Sequence, residues 1–371
     1  FKGWGEDATR AIICDESHYL KDPSSKRFKL LNMHKHHFYY RYLLTGTPNP
    51  NGFWELWSQF EFLDESIIGR DYLPFLREYA EVGDDYGKYN VAFTYEHKIP
   101  GLIDSLKPWY IRRLSEDTIV LPEKIIKEIF VSMDDKMRDI YRGLVDYVLA
   151  VIKKDNEGII TPALVQNKFP YIIQAVQNPS LLKGKISLDV SPVLYNMVER
   201  WKFDHHPKLP AVSELLEEYI KEEKKKVIVW EYHPLTIKQL AEYYKKYNPL
   251  IIVGGMDDYS GIVEKFKNDK DHNLLIASSL VVSESINVQE SSRNIYFSRD
   301  FNFIPWSQSQ KRTHRIGQKD KVVINPIIME RSLEERQNMM LKDKDYLNKN
   351  LLKKASLSKE DLRNLFEGRD L

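Results

Sequence analysis

The clearest hydrophobic pattern lies downstream of residue 225, where short apolar runs alternate with amphipathic segments. The apolar runs are 226–230, 250–253, 274–277, 294–297 and 322–328, and the amphipathic segments are 235–247, 259–268 and 305–315. Unbroken apolar strands separated by helices are typical of a parallel sheet that is covered on both faces. This part of the chain is therefore predicted to form one complete α/β domain.

The first 64 residues repeat this pattern only in part. Two apolar runs, 11–14 and 42–44, predict strands there. Two strands are too few for an independent sheet, which usually has about five or six. We therefore expect residues 1–64 to be the C-terminal part of a first α/β lobe.

The remaining segments show helical periodicity. In residues 135–154, apolar side chains recur at steps of three and four, which predicts a long amphipathic helix. The predicted organisation is a partial first lobe at 1–64, a helical insertion and linker at 65–203, a second lobe at 204–335 and a helical tail at 336–371. Ser358 and Asp361 resemble a helix-capping pair near the end of that tail.

Composition narrows the class of protein without naming it. The 55 basic and 54 acidic residues of the 371-residue chain nearly cancel, so charge alone does not indicate a polyanionic partner. The single cysteine, Cys14, lies in an apolar run and indicates a small buried side chain in a reducing compartment. No apolar run reaches membrane-spanning length. We expect a location in the cytoplasm of a bacterial or virus-infected cell, or in a eukaryotic nucleus, and no membrane association.

Acidic residues follow the first predicted strand. In "AIICDESH", Asp15, Glu16 and His18 come directly after the strand, where open parallel sheets bind ligands. Two acids at such a position suit a nucleotide site, because one can hold Mg²⁺ while the other polarises the attacking water. Acids after a strand also cap helices, so both interpretations stay open for this tetrapeptide alone.

Two further segments carry candidate chemistry. "YLLTGTP" follows the second strand and by itself predicts only a turn. "SQSQKRTHRIGQ", residues 307–318, places Arg312 and Arg315 three apart on a predicted helix and then reaches a glycine. Charged residues at helical spacing usually form a solvated face, which is the alternative to a phosphate-binding role.

Taken together in order, the motifs favour a specific family. "CDESHYLKDPSSKRFK", "YLLTGTPNPNGFWELWSQFEFL", "LKPWYIRRLSED" with "LPEKIIKEIF", and "QSQKRTHRIGQ" resemble the Swi/Snf-type ATPases of helicase superfamily two. The resemblance extends from residue 11 to about residue 330. It implies two RecA-like lobes with helical insertions between them, ATP and Mg²⁺ in the inter-lobe cleft, and duplex DNA across both lobes.

The resemblance also implies roles for individual residues. Asp15 matches the Mg²⁺-coordinating acid, Glu16 the catalytic acid, and His18 the residue that couples the nucleotide site to the DNA-bound segments. Arg312 and Arg315 match the two arginines that the second lobe directs at the phosphates, for which planar guanidinium groups are well suited.

Other positions are expected by the same resemblance to contact ATP or DNA. Gly46 and Gln318 join the ATP-binding set. The segment "SSLVVSESINVQESS" replaces the family's "STRAGGLGINL" and has Val282 in place of a glycine, which puts close backbone approach in doubt. The residues expected to bind DNA are Thr45, Thr47, Ser278, Ser283, Ser285 and Asn287.

One motif that the family requires does not occur in the sequence. No GxxxxGK[ST] phosphate loop occurs in the 371 residues, and we expect it upstream of this numbering. A natural degenerate enzyme is the alternative. The leading hypothesis is a monomeric, ATP-driven translocase that tracks double-stranded DNA and meets proteins bound to it, with little or no activity in this fragment alone. The second hypothesis is a DNA-binding or partner-binding module that does not hydrolyse ATP.

Two histidine-rich stretches invite a metal-site interpretation. They are "MHKHHF" at 33–38 and "DHHPK" at 204–208, and neither has a second cluster at zinc-ligand spacing. Surface loops are the expected structure for both. Mg²⁺ is the only metal that the sequence predicts.

Overall fold

The chain divides into two compact units in the computed structural model. The described residues are 10–46, 48–49, 52–85, 88–111, 120–155, 169–186, 191–281 and 287–342. The first unit is Phe1–Arg113 and the second is Leu114–Leu371. Each unit has its own apolar core, and each is described separately below.

The first unit begins with a two-stranded parallel sheet, as predicted. Strand β1, Ala11–Cys14, pairs with β2, Tyr40–Leu43, and helix α1, Lys26–Met33, lies between them in sequence. Ser25 begins α1 by accepting a hydrogen bond from the backbone N–H of Phe28. One face of this small sheet remains exposed, since the side chains of Ile13 and Tyr42 are 64% and 52% exposed.

The core of the first unit lies around helix α2, Leu56–Leu63, in which residues 56–62 are all buried. Three further helices and an antiparallel hairpin complete the unit: α3, Glu65–Ile68; α4, Tyr72–Tyr79; β3, Ala80–Asp85; β4, Lys88–Thr94; and α5, Ile99–Leu106. Aromatic residues dominate this core, where Phe53 packs against Phe75 and Phe28 against Trp57.

The second unit contains a seven-stranded parallel sheet, which confirms the predicted α/β class. The strands are β5, Lys124–Ile126; β6, Ile129–Val131; β7, Lys226–Glu231; β8, Leu250–Ile252; β9, Leu274–Ser278; β10, Ser291–Tyr296; and β11, Val322–Met329. Their order is β8-β9-β7-β10-β11, with β5 and β6 both paired to β11. The strands that follow β7 in the chain lie first on one side of it, as β8 and β9, and then on the other side, as β10 and β11. Parallel sheets usually bind ligands at such a change of side.

Helices cover both faces of this sheet. They are α6, Asp135–Asp155; α7, Phe169–Gln177; α8, Pro192–Glu199; α9, Leu209–Leu216; α10, Pro234–Tyr243; α11, Tyr259–Asn268; α12, Phe303–Thr313; and α13, Leu333–Lys342. Within β7, Val227 and Val229 pack into one core, while Ile228 and Trp230 pack into another. This alternation explains why the strand is apolar throughout.

The region 65–203 was predicted to be helical, and it also contains strands β3 to β6. Strands β5 and β6 have only three residues each and pair with β11, which lies almost 200 positions later in the chain. Runs this short carry no usable periodicity, so their strand identity depends on a distant partner. The helices α6, α7 and α8 form a third core with Met329 and Leu333.

The predicted tail is described only in part. Helix α13 ends at Lys342, and Ser358 and Asp361 lie outside the described residues. Among the helices that are described, none has both the length and the apolar content needed to cross a bilayer.

A buried ion pair joins three elements of the second unit. Lys208, which precedes α9, is fully buried and places its Nζ 2.7 Å from Glu334 Oε1 in α13 and 2.7 Å from the carbonyl oxygen of Phe297, after β10. Glu334 Oε2 accepts a further hydrogen bond from the backbone N–H of Met329. Burial lowers the pKa of Lys208, while the attraction of Glu334 opposes that shift.

Removing one partner of this pair should destabilise the second unit strongly. Lys208→Met leaves the Glu334 carboxylate buried without its counter-ion, which typically costs about 3–5 kcal/mol of unfolding free energy. The double variant Lys208→Met with Glu334→Leu should recover most of this loss, because no isolated charge remains. The free energy of unfolding is measured by denaturant titration for the parent, the two single variants and the double variant.

Lys245→Met serves as the matched control. Lys245 forms an ion pair of the same kind with Glu242 at 2.8 Å, but both side chains are about three-quarters exposed, so the unfolding midpoint should hardly move. A double variant that is no more stable than Lys208→Met would contradict this account of the pair.

Candidate functional site

The first candidate cluster lies where β1 ends. Asp15 is exposed, and its Oδ1 accepts a hydrogen bond of 2.8 Å from the backbone N–H of Glu16. Glu16 adopts a left-handed backbone conformation, with φ 49° and ψ 48°, and precedes the short 3₁₀ helix Ser17–Leu20. A non-glycine residue pays about 1–3 kcal/mol for such a conformation, and residues of this kind occur often at functional sites.

His18 connects the acidic turn to the segment after β2. Its buried Nδ1 lies 3.1 Å from Thr45 Oγ1 and 3.1 Å from Glu16 Oε2. Because a carboxylate only accepts, the contact with Glu16 requires a proton on Nδ1. Burial lowers the pKa of His18, the Glu16 carboxylate raises it, and the Lys21 ammonium lowers it again, for a net decrease. The lowered pKa favours the neutral form of His18, and its buried Nε2 has no partner among the described residues.

The acidic turn is also fixed from the opposite side. The backbone N–H of Ser17 donates to the carbonyl of Leu44, and the Ser17 hydroxyl donates to Gln59 Oε1 at 3.0 Å. The amide of Gln59 in turn donates to the carbonyl of Pro48 at 2.6 Å. The side chain of Gln59, in α2, therefore holds the acidic turn and the end of the TGTP segment together.

The described part of this cluster fits a magnesium site only through Asp15. One carboxylate oxygen of Asp15 is occupied by the Glu16 N–H, and the exposed group leaves the other oxygen accessible. Among the described residues, no group of three or more His, Cys, Asp or Glu side chains forms a metal site, and this includes the two histidine-rich stretches. Mg²⁺ would therefore depend on nucleotide phosphates and water for most of its ligands.

In the second unit, helix α12 ends at Thr313, earlier than the sequence predicted. Arg312 lies in its last turn, whereas Arg315 lies in the turn that follows, so the two arginines do not share a helix face. Gly317 has φ +98°, a conformation that favours glycine and allows the chain to reverse there. Both arginines are half-buried, which argues against a fully solvated helix face.

Two contacts fix the position of this turn. His314 Nε2 lies 2.8 Å from the carbonyl of Pro122, just before β5. The backbone N–H of Val288 donates to the carbonyl of Arg312 at 3.2 Å, and Val288 is itself fully buried. The turn that carries Arg315 is thus anchored both to the strand edge at β5 and to the segment before β10.

Both polar atoms of the Gln318 side-chain amide form hydrogen bonds inside the second unit. Its Oε1 accepts hydrogen bonds of 2.9 Å from the backbone N–H groups of Lys319 and Asp320, and the two N–H groups of Nε2 are shared among three backbone carbonyls. The side chain is buried. Its predicted contact with ATP stays a prediction and would require these hydrogen bonds to be exchanged.

The predicted DNA-binding segment is described only at its ends. Ser278 is the last residue of β9 and is 3% exposed, so DNA contact there would require this edge to open. Asn287 is exposed, and Gly46 in the first unit is exposed as well. Thr47, Ser283 and Ser285 lie outside the described residues.

A buried acid lies at the end of β7, the strand with later strands on both of its sides. Glu231 ends β7 opposite Ser278, is fully buried, and accepts a hydrogen bond of 2.8 Å from the backbone N–H of His233. Burial raises the pKa of Glu231 to about 7, although hydrogen bonds from Ser298 and the backbone oppose the shift. The sequence reasoning missed this residue, for which the signal was an acid at the end of an otherwise apolar run.

The structure thus brings Glu16, His18 and Thr45 together in the first unit, with Asp15 beside them. Gln59 was missed although it lies within a quoted motif, because the sequence does not show that this polar side chain is buried in helix α2. Trp306 is buried in one apolar core, and Phe301 packs against another.

Comparisons with known proteins identify a matching domain and similar proteins. The profile of the SNF2-related domain matches residues 5–175. The chain is 27% identical over 367 residues to the TATA-binding protein-associated factor MOT1 of Saccharomyces cerevisiae, which covers 87% of the chain and 19% of that protein. It is 26% identical to a probable chromatin-remodeling complex ATPase chain of Oryza sativa subsp. japonica, covering 88% of the chain and 28% of that protein.

The chain therefore spans less than a third of the length of these relatives. Among solved structures, it is similar to the Sulfolobus solfataricus SWI2/SNF2 ATPase core in complex with dsDNA, with a TM-score of 0.49 and 24% identity over 96% of this chain and 72% of that one. Residues 5–175 thus match the SNF2-related domain, and the chain as a whole is similar to Snf2-type proteins along most of its length.

Proposed function

We propose that this chain carries the catalytic acids and the arginines of an ATP-dependent motor that moves along double-stranded DNA. The observation that supports this function most directly is the contact of His18 with both Glu16 and Thr45, which joins the acidic turn to the TGTP segment. A change at the nucleotide can thereby reach a second segment of the same unit. The similarity of residues 5–175 to the SNF2-related domain supports ATP as the nucleotide.

The first unit supplies the groups for phosphoryl chemistry. Glu16 orients and polarises the attacking water, and its strained backbone keeps the carboxylate at the start of the 3₁₀ helix. Asp15 would hold Mg²⁺, which when bound neutralises negative charge on the phosphates. His18 senses the state of Glu16, because a change in the Glu16 carboxylate alters the hydrogen bond that Nδ1 donates.

The second unit supplies Arg312 and Arg315. A guanidinium group presents fixed donors to phosphate oxygens and stabilises the charge that develops on the transferring phosphoryl group. The anchored turn after α12 limits the positions that Arg315 can adopt. The proposal requires these arginines and Glu16 to act on the same nucleotide.

Duplex DNA is the proposed track, as the family resemblance implies. Contacts to backbone phosphates from the TGTP segment and from residues 278–287 would bind many sequences with similar affinity and weaken as salt rises. We do not propose that the motor separates the two strands of the DNA duplex. The rival function, a DNA-binding or partner-binding module without hydrolysis, is favoured by one observation, which is the lack of a phosphate-loop motif in these 371 residues.

The chain by itself should hydrolyse ATP poorly, because it lacks the lysine and backbone amides that hold the β and γ phosphates. Turnover is measured with and without duplex DNA, for the chain alone and for the chain preceded by a phosphate-loop half-lobe. Strong DNA-stimulated turnover by the chain alone would overturn this expectation. No turnover by the extended protein would favour the binding-module function.

Glu16→Gln should abolish turnover of the extended protein and leave ATP affinity nearly unchanged, since the water-activating charge is lost while the shape is kept. Turnover and nucleotide affinity are measured in parallel. Glu96→Gln, at an exposed position of the same unit, is the matched control and should hydrolyse at the parental rate. A Glu16→Gln variant with parental turnover would remove Glu16 from the catalytic role.

Arg312→Ala and Arg315→Ala should each lose most DNA-stimulated turnover in the extended protein, by about 10³- to 10⁵-fold if they act as arginine fingers. A surface charge would contribute only about 0–1 kcal/mol. Arg200→Ala, at an exposed position after α8, is the matched control. Turnover and nucleotide-free DNA affinity are measured for each variant.

Arg315→Lys should restore only part of the activity, because an ammonium group cannot reproduce the planar fork. DNA affinity without nucleotide should hardly change in any arginine variant. Normal hydrolysis combined with weaker DNA binding would assign these arginines to DNA instead of the nucleotide.

A further inference from the structure

A polar side chain lies inside the buried helix of the first unit. Residues 56–62 of α2 are all buried, and Gln59 is one of them. An amide in such a place has lost its hydrogen bonds to water, and this loss is unfavourable unless protein groups replace them. The partners of Gln59 therefore indicate what this side chain supports.

The amide of Gln59 has a complete set of hydrogen bonds. Its Oε1 accepts from the Ser17 hydroxyl at 3.0 Å, and its Nε2 donates to the carbonyl oxygens of Pro48 at 2.6 Å and Glu55 at 2.9 Å. An amide nitrogen has two N–H donors and no acceptor. The orientation of the amide is thus fixed, because the opposite orientation would direct its oxygen at two carbonyl oxygens.

Ser17 is the residue that this amide holds in place. Its backbone N–H also donates to the carbonyl of Leu44 at 2.9 Å, so Ser17 is fixed through both its backbone and its side chain. Ser17 directly follows Glu16, whose left-handed backbone is unfavourable for a residue that has a Cβ atom. Such a conformation persists only where neighbouring contacts maintain it, and the bond from Ser17 to Gln59 is one of these contacts.

The position of the Glu16 carboxylate depends on that backbone conformation. Glu16 Oε2 lies 3.1 Å from Nδ1 of the buried His18. If the backbone of Glu16 relaxed to a right-handed conformation, its side chain would rotate away from the ring that follows in the 3₁₀ helix. The contact between Glu16 and His18 therefore reports whether the turn is intact.

We propose that Gln59 is a positioning residue for ATP hydrolysis, which through Ser17 keeps Glu16 in the left-handed turn that directs its carboxylate. This role rests on the proposed function, in which Glu16 orients the attacking water. Gln59 itself touches neither the water nor the nucleotide in this proposal. It acts from within α2, where a buried amide joins the support of the catalytic acid to the core of the first unit.

The link between Gln59 and the turn is tested on the 371-residue chain by ¹⁵N NMR of the histidine rings near neutral pH. The signals of His18 are identified by their absence in His18→Asn. In the parent, Nδ1 of His18 should carry the proton, because the Glu16 carboxylate only accepts. Gln59→Met keeps the length and removes the amide, so the contact should open and most molecules should carry the proton on Nε2. A proton retained on Nδ1 would overturn the proposal.

Ser17→Ala removes only the other partner of the same hydrogen bond, and it should change the His18 signals in the same way. The double variant Ser17→Ala with Gln59→Met should resemble each single variant, because all three lack one shared bond. Ser17→Ala also serves as the second variant if Gln59→Met does not fold. Loss of fold in both single variants would limit Gln59 to a stability role and overturn the proposal.

Two neighbours in α2 provide matched controls. The Ser58 hydroxyl is buried and makes no hydrogen bond among the described residues, so Ser58→Ala should keep the parental His18 signals. Phe60 belongs to the same apolar core, and Phe60→Leu should lower the unfolding temperature without moving the proton from Nδ1. A shifted proton in Phe60→Leu would show that general destabilisation is sufficient, which would also overturn the positioning role.

The catalytic consequence is measured as kcat and ATP affinity of the extended protein. Gln59→Met should lower kcat by about 10- to 100-fold with ATP affinity nearly unchanged, since a displacement of about 1 Å in a catalytic group has an effect of this order. Ser58→Ala should keep the parental kcat.

The outcomes separate two failures. If Glu16→Gln is inactive but Gln59→Met keeps the parental kcat, the catalytic acid stands and the positioning role of Gln59 is wrong. If the extended parent does not hydrolyse ATP, or if Glu16→Gln hydrolyses it at the parental rate, the proposed function fails and the positioning role fails with it.

Discussion

The buried contact between Lys208 and Glu334 fixes the geometry on which the second unit depends. It joins the start of α9, the end of β10 and helix α13, so these elements cannot shift independently without separating two charges in a low-dielectric interior. The end of β10 leads directly to Arg299, whose side chain lies over the ring of Trp306 in α12. Arg299 therefore links the helix that carries Arg312 to the end of β10, where Phe297 contacts Lys208.

Most of the second unit could be predicted from sequence because parallel strands covered on both faces are apolar along their whole length. The segment 259–268 and the strand 11–14 were predicted with the bounds observed. Strands β5 and β6 could not be predicted, since three residues contain no period and their identity depends on pairing with β11. Helix α12 ends two residues early, and the carbonyl groups of Arg312 and Thr313 accept hydrogen bonds from Val288 and Gln318, which are contacts with no local helical signal.

The candidate site was predicted through motif order, whereas its internal connections were not. Asp15, Glu16 and His18 were predicted as site residues because they follow a strand, and the structure places His18 Nδ1 3.1 Å from Thr45 Oγ1, which follows the neighbouring strand. Gln59 and Gln318 act through hydrogen bonds to distant backbone groups, and a sequence pattern does not specify such partners. Glu231 was missed because only burial reveals that its carboxyl group has a pKa near 7.

The central claim is that Glu16 of the first unit and the two arginines of the second unit act on one nucleotide while DNA is bound elsewhere. The most direct measurement is an experimental structure of the extended protein with a non-hydrolysable ATP analogue, Mg²⁺ and duplex DNA. The account predicts guanidinium nitrogens of Arg312 and Arg315 within hydrogen-bonding distance of the γ-phosphate, with the Glu16 carboxylate facing the attacking water. Arginines bound to DNA phosphates, or a nucleotide that does not contact either of them, would contradict it.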